Sequence, residues 1–181
     1  MKITRYVSVL AVLAIFSSCK NETKETTPEV KTVETTQQKS AHTSEAISAE
    51  FEDVKLQSVF TAYVALKTAL VNTDAKKASA EASNLMTAFA NIGVEETTLK
   101  AAQNVVETDD VEVQRAAFVI ITKEVEQMME GAIASGVVYK QYCPMAFNNT
   151  GAYWLSESKE IRNPFFGDKM LKCGRIEAEI K

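Results

Sequence analysis

Apolar positions recur with a helical period over most of this chain. Leu56, Val59, Phe60, Tyr63, Leu66 and Leu70 follow the i, i+3, i+4, i+7 spacing of one helix face and predict a helix over about 52–71, its other face polar and wet. Asn72-Thr73-Asp74 reads as a capping cluster, after which Ala78, Ala82, Leu85, Met86 and Phe89 carry a second helix to the stop at Gly93. A joint that short makes the two helices antiparallel. A third, shorter helix is expected over 95–106. A fourth follows Asp109-Asp110 and presents Val113, Ala117, Ile120, Ile121, Val125, Met128 and Met129 until Gly131 and Gly136 close it. Before residue 137 no hairpin dipeptide and no sustained period-2 run appears, so the pattern supplies no sheet there. The expected fold is all-α: an antiparallel bundle of about four helices over 49–136, with a small irregular C-terminal module over 137–181 that belongs to the same domain. Val137-Val138-Tyr139 reads as its one short strand.

The first forty-odd residues have a different pattern. Lys2 and Arg5 precede an apolar run from Tyr6 to Phe16, and Ser17-Ser18 lead into Cys19, the order of an export signal over 1–18. The run is too short to span a bilayer. Phe16-Ser17-Ser18-Cys19 resembles a lipobox, whose cysteine is lipidated and becomes the first residue of the mature chain. The alternative is a plain secretion signal with a coincidental cysteine. Acyl chains at Cys19 would hold the protein on a membrane, at about 0.8 kcal/mol per buried CH₂. The expected location is extracytoplasmic and lipid-anchored, on the outer membrane facing the periplasm or at the cell surface. From Cys19 to about Ser48 the chain is Thr, Glu, Lys, Gln and Ser with little to bury, the composition of a disordered tether. His42 falls within it and reads as a spare residue.

Composition narrows the chemistry. The 181 residues, 46% hydrophobic and 24% charged, suit one globular domain. A net charge of −4 with no dense basic block argues against nucleic acid as a partner. With His42 the only histidine, no nucleophile elbow, no phosphate loop and no HExxH pattern, the chain is not expected to be an enzyme.

Sulfur gathers in the C-terminal module. Cys143 and Met145 are two apart across Pro144, so in an extended backbone both would project from one face. Met170 and Cys173 are three apart, so a single helical turn would put both on one side. If the two pieces meet, two thiolates and two thioethers form a metal site for a soft ion: Cu(I) or Ag(I) first, Zn²⁺ second. Trp154 would then be an aromatic face shielding the cation. The competing explanation is structural. Cys143 and Cys173 are the only cysteines left to pair after Cys19, and in an oxidising compartment a disulfide between them would restrict the unfolded chain by roughly 3–4 kcal/mol. Asn163-Pro164 and Gly167 are expected to set turns that return Met170 and Cys173 toward Cys143. Met86, Met128 and Met129 lie at core spacing and read as packing residues.

Tyr142-Cys143-Pro144-Met145-Ala146, Gly151-Ala152-Tyr153-Trp154-Leu155-Ser156 and the run Ile161 to Gly174 resemble DUF3347, a bacterial domain family of unknown function. The likeness extends over 50–180, strongest from Tyr139 onward and looser in the bundle. Members occur as stand-alone lipoproteins and fused to periplasmic adaptor subunits of heavy-metal efflux pumps, with a helical bundle ahead of the Cys-Pro-Met motif. The resemblance therefore implies a role near copper or silver handling, with an efflux adaptor as partner. Family members with histidines in the bundle differ from this chain, where Arg115-Ala116-Ala117-Phe118 runs on into Val119-Ile120-Ile121.

Overall fold

The computed structural model describes residues 41–181. The export signal, Cys19 and most of the expected tether lie outside the described residues. Four helices follow one another closely: α1 (Val54–Val71), α2 (Ala75–Ile92), α3 (Glu96–Val106) and α4 (Val111–Met129). Three begin on an aspartate whose carboxylate accepts a backbone N–H of the first turn: Asp53 from Lys55 at 2.8 Å, Asp74 from Lys77 at 2.9 Å and Asp110 from Glu112 at 2.9 Å. Such caps satisfy donors that have no partner inside the helix, and they explain why the breaks fall at Asn72–Asp74 and at Asp109-Asp110.

The core is built from the apolar stripes, except that Val113 and Ile120 of α4, expected on its inward face, are exposed at 47% and 50%. Phe60, Tyr63, Leu66, Leu70, Leu85, Phe89, Val105, Phe118, Ile121, Val125 and Met129 are fully enclosed. On α1, however, the buried positions extend to Val64, Lys67, Ala69 and Val71, an arc far wider than one stripe. Part of the face expected to be wet is covered instead by the C-terminal segment and by the chain ahead of the helix, while Lys55, Ser58 and Thr61 remain exposed.

The body is not purely helical. A two-stranded antiparallel ribbon pairs β1 (Glu50–Phe51) with β2 (Ile133–Ser135), joining the chain before α1 to the chain after α4. The C-terminal module, expected to be irregular, is a three-stranded antiparallel sheet ordered β4-β3-β5, from β3 (Val138–Cys143), β4 (Ala152–Ser156) and β5 (Arg175–Ile180). Along β3, Val138, Gln141 and Cys143 point inward, with the register slip against β5 between Lys140 and Gln141 breaking strict alternation.

Two polar side chains bolt the C-terminal module to the bundle, Tyr63 through strand β4 and Arg115 through the loop at Pro164. Tyr63 on α1 accepts the Leu155 backbone N–H from β4 at 3.0 Å and bonds the Thr122 hydroxyl of α4 at 2.9 Å; its burial pushes the phenol pKa up. Arg115 on α4, 2% exposed, donates to the carbonyls of Pro164 at 2.7 Å and Leu70 at 3.2 Å, to the Thr73 hydroxyl and to the Glu112 carboxylate.

Residues 41–48, assigned to the tether by composition, lie on this body. His42 donates its backbone N–H to Asn72 Oδ1 at 2.7 Å, accepts from Asn72 Nδ2 at 2.8 Å, and meets Asp168 through Nε2 at 2.7 Å. Arg162 holds the Thr43 carbonyl, and the Glu45 N–H reaches Glu157 at 3.3 Å. Hydrogen bonds order this strap despite its polar composition, with Ile47 packed on the core and Ala49 buried. Beneath it Lys67 and Glu157 form an ion pair with 4% and 3% of their side chains exposed.

Candidate functional site

The sheet register brings the sulfur residues together. Tyr142 pairs with Arg175 across β3 and β5, so one further step sets Cys143 opposite Gly174, beside Cys173. The loop from Glu160 to Cys173 is tied by the buried Asn163. Its side chain donates to the Cys173 carbonyl at 2.8 Å and accepts the Phe165 N–H at 2.8 Å, while its backbone bonds Leu171 and Gly167. The turn expected at Asn163-Pro164 is thus the device that returns Cys173 to Cys143. Gly174 permits the close approach, since a Cβ there would lie 2.9 Å from Trp154 Cη2.

The sulfur atoms pair differently from the expectation drawn from spacing. Strand β3 ends at Cys143 and the chain turns at Pro144-Met145, so Cys143 is fully buried while Met145 is 46% exposed; they do not share a face. Met170 follows a single 3-10 turn (Gly167–Lys169) and is itself non-helical, and a backbone bond from the Cys173 N–H to the Met170 carbonyl at 2.9 Å closes a turn there. No helical face therefore carries Met170 and Cys173 together. Across the two segments, Cys143 Sγ lies 2.6 Å from Cys173 Sγ. Met145 and Met170 line a separate hollow of about 460 Å³ together with Glu112, Phe147, Asn148, Asn149, Phe165 and Phe166. Cysteine faces cysteine, and methionine shares its surroundings with methionine.

The thiol pair is too close to hold an ion between its sulfurs as it stands. Metal–sulfur bonds near 2.3 Å in a tetrahedral site separate two sulfurs by about 3.8 Å, so these would have to part by about 1 Å. Burial pushes the Cys173 thiol up to about 11, reinforced by the hydrogen bond and charge of Cys143 and opposed by the Met145 backbone N–H, which donates to its sulfur. Among the described residues no three His, Cys, Asp or Glu side chains gather as a metal-binding group. A cation site in this region would therefore have to recruit thioethers.

The hollow's walls are set by a backbone that sequence reasoning missed. In the turn Ala146–Asn149, Phe147 (φ 49°, ψ 60°), Asn148 (φ 57°, ψ 41°) and Asn149 (φ 68°) are left-handed in succession. Each such residue costs about 1–2 kcal/mol, eased for asparagine but not for phenylalanine. Compensation comes from the Gly151 N–H bonding the Ala146 carbonyl at 2.9 Å and from Phe147 packing edge-on to Phe165, ring centroids 5.3 Å apart. Phe165 also meets Phe118 of α4 and Trp154 of β4, at 6.2 and 5.9 Å, so a continuous aromatic contact runs from the bundle to the hollow. Trp154 is fully enclosed, its indole packed on Phe165 and on the Gly174 backbone, and it does not line the hollow. The exposed aromatic face here is Phe147, 37% exposed. Glu112 and Phe147 carry no local motif that marks them; only the packing of α4 against the 164–170 loop brings them to Met145 and Met170.

Residues 59–135 match the family described as Protein of unknown function (DUF3347). Over those residues the match supports the family resemblance seen in the sequence. The match falls on the helical bundle, whereas the resemblance read from sequence was strongest from Tyr139 onward; the sulfur-bearing sheet lies beyond the matched segment. No curated protein and no solved structure matches the chain.

Proposed function

We propose that this DUF3347-like chain is an extracytoplasmic, non-enzymatic domain, anchored through lipid on Cys19, that holds a soft monovalent cation, Cu(I) or Ag(I), as an accessory to heavy-metal efflux. The observation that carries the reading is that Met145 and Met170 both line one hollow, with the Met145 backbone N–H donating to the Cys173 sulfur of the Cys143–Cys173 pair. Thioether and thiolate donors favour soft ions, and hard cations such as Mg²⁺ and Ca²⁺ favour oxygen. The export signal and lipobox support an outer-membrane site facing the periplasm and an adaptor subunit of an efflux pump as partner. Competition with a chromogenic Cu(I) chelator tests this: the reduced protein takes one Cu(I) from the chelator, and a chelator left untouched ends the reading.

The 2.6 Å approach of Cys143 and Cys173 favours a second reading, a scaffold stapled by a permanent disulfide and docking a partner without any cation. Intact-mass measurement with and without reductant addresses it, because two free thiols in protein recovered from the periplasm rule it out.

A further inference from the structure

Taking the soft-cation reading as its premise, we infer that the four sulfurs divide into two pairs with separate tasks: Cys143 and Cys173 are a redox latch, and Met145 with Met170 is a cation site that works with the latch closed. Two observations carry this. The cysteine sulfurs already lie at 2.6 Å, one fully buried and the other partly so, which suits bond formation between them and disfavours an ion shared by both. The methionines line a different, open hollow in which neither cysteine takes part.

The hollow is furnished for a soft cation. Besides the two thioethers it is lined by Phe147 and Phe166, aromatic rings being able to attract a cation, and by Glu112, whose side chain is 67% exposed and paired with the buried Arg115. A thioether keeps its lone pairs in an oxidising compartment where thiols are consumed, so a site built on methionine retains its donors there and a site built on cysteine does not.

The latch closes by thiol–disulfide exchange. The Cys173 thiolate, the more accessible of the two, attacks a disulfide oxidant, whose S–S bond breaks and releases one thiol. The Cys143 thiolate then displaces the second thiol as the Cys143–Cys173 bond forms, so two electrons and two protons leave on the oxidant. Closure locks the end of β3 to the start of β5. The Pro144–Thr150 turn springs directly from that junction, and the Met145 N–H bonded to Cys173 sulfur continues the connection to Met145 itself.

The test is an Ag(I) titration of the full mature chain in chloride-free buffer, with ¹³C-methyl methionine spectra as the readout. Ag(I) is used because it does not change oxidation state under these conditions. The oxidised protein is expected to bind one Ag(I), shifting the Met145 and Met170 methyl signals and leaving Met86, Met128 and Met129 unmoved. Met145→Leu and Met170→Leu conserve volume and keep the fold; each is expected to weaken binding at least about tenfold, in keeping with losses seen on perturbing metal shells. Cys143→Ser/Cys173→Ser is expected to bind as the oxidised protein does. If only the reduced protein binds and the serine variant does not, the division into pairs is wrong while the cation reading stands. If neither redox form binds Ag(I), the cation reading itself fails.

Discussion

Replacing Glu157 by leucine strands the ammonium of Lys67 in the interior. Its side chain is 4% exposed, and the polar groups that remain close are the Ser156 hydroxyl at 3.3 Å and the strap above. Removing one member of a buried pair costs about 3–5 kcal/mol, because the other charge stays behind without compensation. Lysine has an escape, which is to lose its proton. Starting from a reference value of 10.5, releasing that proton costs about 5 kcal/mol at pH 7 and under about 1 kcal/mol at pH 10. Burial already drives the Lys67 pKa down, partly offset by Glu157, and the variant removes the offset. Folded Lys67 then holds its proton less tightly than the unfolded chain does. The unfolded state binds more protons between the depressed value and 10.5, and stability of the variant rises with pH across that window. Urea denaturation followed by Trp154 fluorescence is therefore expected to give a deficit of about 3–5 kcal/mol against the parent at pH 7, shrinking to about 1 kcal/mol at pH 10. The double variant Lys67→Met/Glu157→Leu is expected to recover the parent's stability or exceed it, since well-packed apolar groups replace a buried pair at little or no cost. A deficit below about 1 kcal/mol at pH 7, or one equal at both pH values, would refute the reasoning.

Other consequences follow from the packing. Tyr63→Phe leaves the Leu155 N–H and the Thr122 hydroxyl without their buried partner and should cost about 1–3 kcal/mol in chemical denaturation, with a neutral result showing that the sheet is not held through this bond. Reducing an oxidised Cys143–Cys173 bridge should lower stability by roughly 3–4 kcal/mol, and identical melting with and without reductant in a mass-verified oxidised sample would contradict it. Gly151→Ala drives a Cβ to within 1.9 Å of the Tyr142 hydroxyl at a φ of +80°, so the variant should unfold at markedly lower temperature or fail to accumulate. Asn148→Gly relieves one left-handed residue and should stabilise the fold by up to about 1 kcal/mol, which a calorimetric comparison would reveal.

Local order was legible to the extent that it depends on near neighbours. The period of Leu56 to Leu70 and the aspartates at 53, 74 and 110 mark three of the four helices close to their observed starts, because amphipathic spacing and cap chemistry act within a few residues. Ile176, Ala178 and Ile180 alternate with charged residues along β5, a strand signal present in the sequence but only six residues long. The ribbon of Glu50–Phe51 with Ile133–Ser135 carries no such signal, since each strand exists only because the other is there to bond it. The same holds for residues 41–48, polar enough to read as tether and ordered by groups far along the chain.

The site divides along the same line. Residue types alone pointed to sulfur chemistry at Cys143, Met145, Met170 and Cys173, and Cys143 was recognisable as a partner for Cys173. Which sulfur meets which was decided by the β3–β5 register, by Asn163 tying its loop, and by the turn at Pro144-Met145 that takes Met145 off the inward face on which Cys143 ends β3. Spacing along a chain specifies direction only while the backbone stays regular. Once it turns, the direction of a side chain is set by long-range packing, and that is a property of the folded molecule.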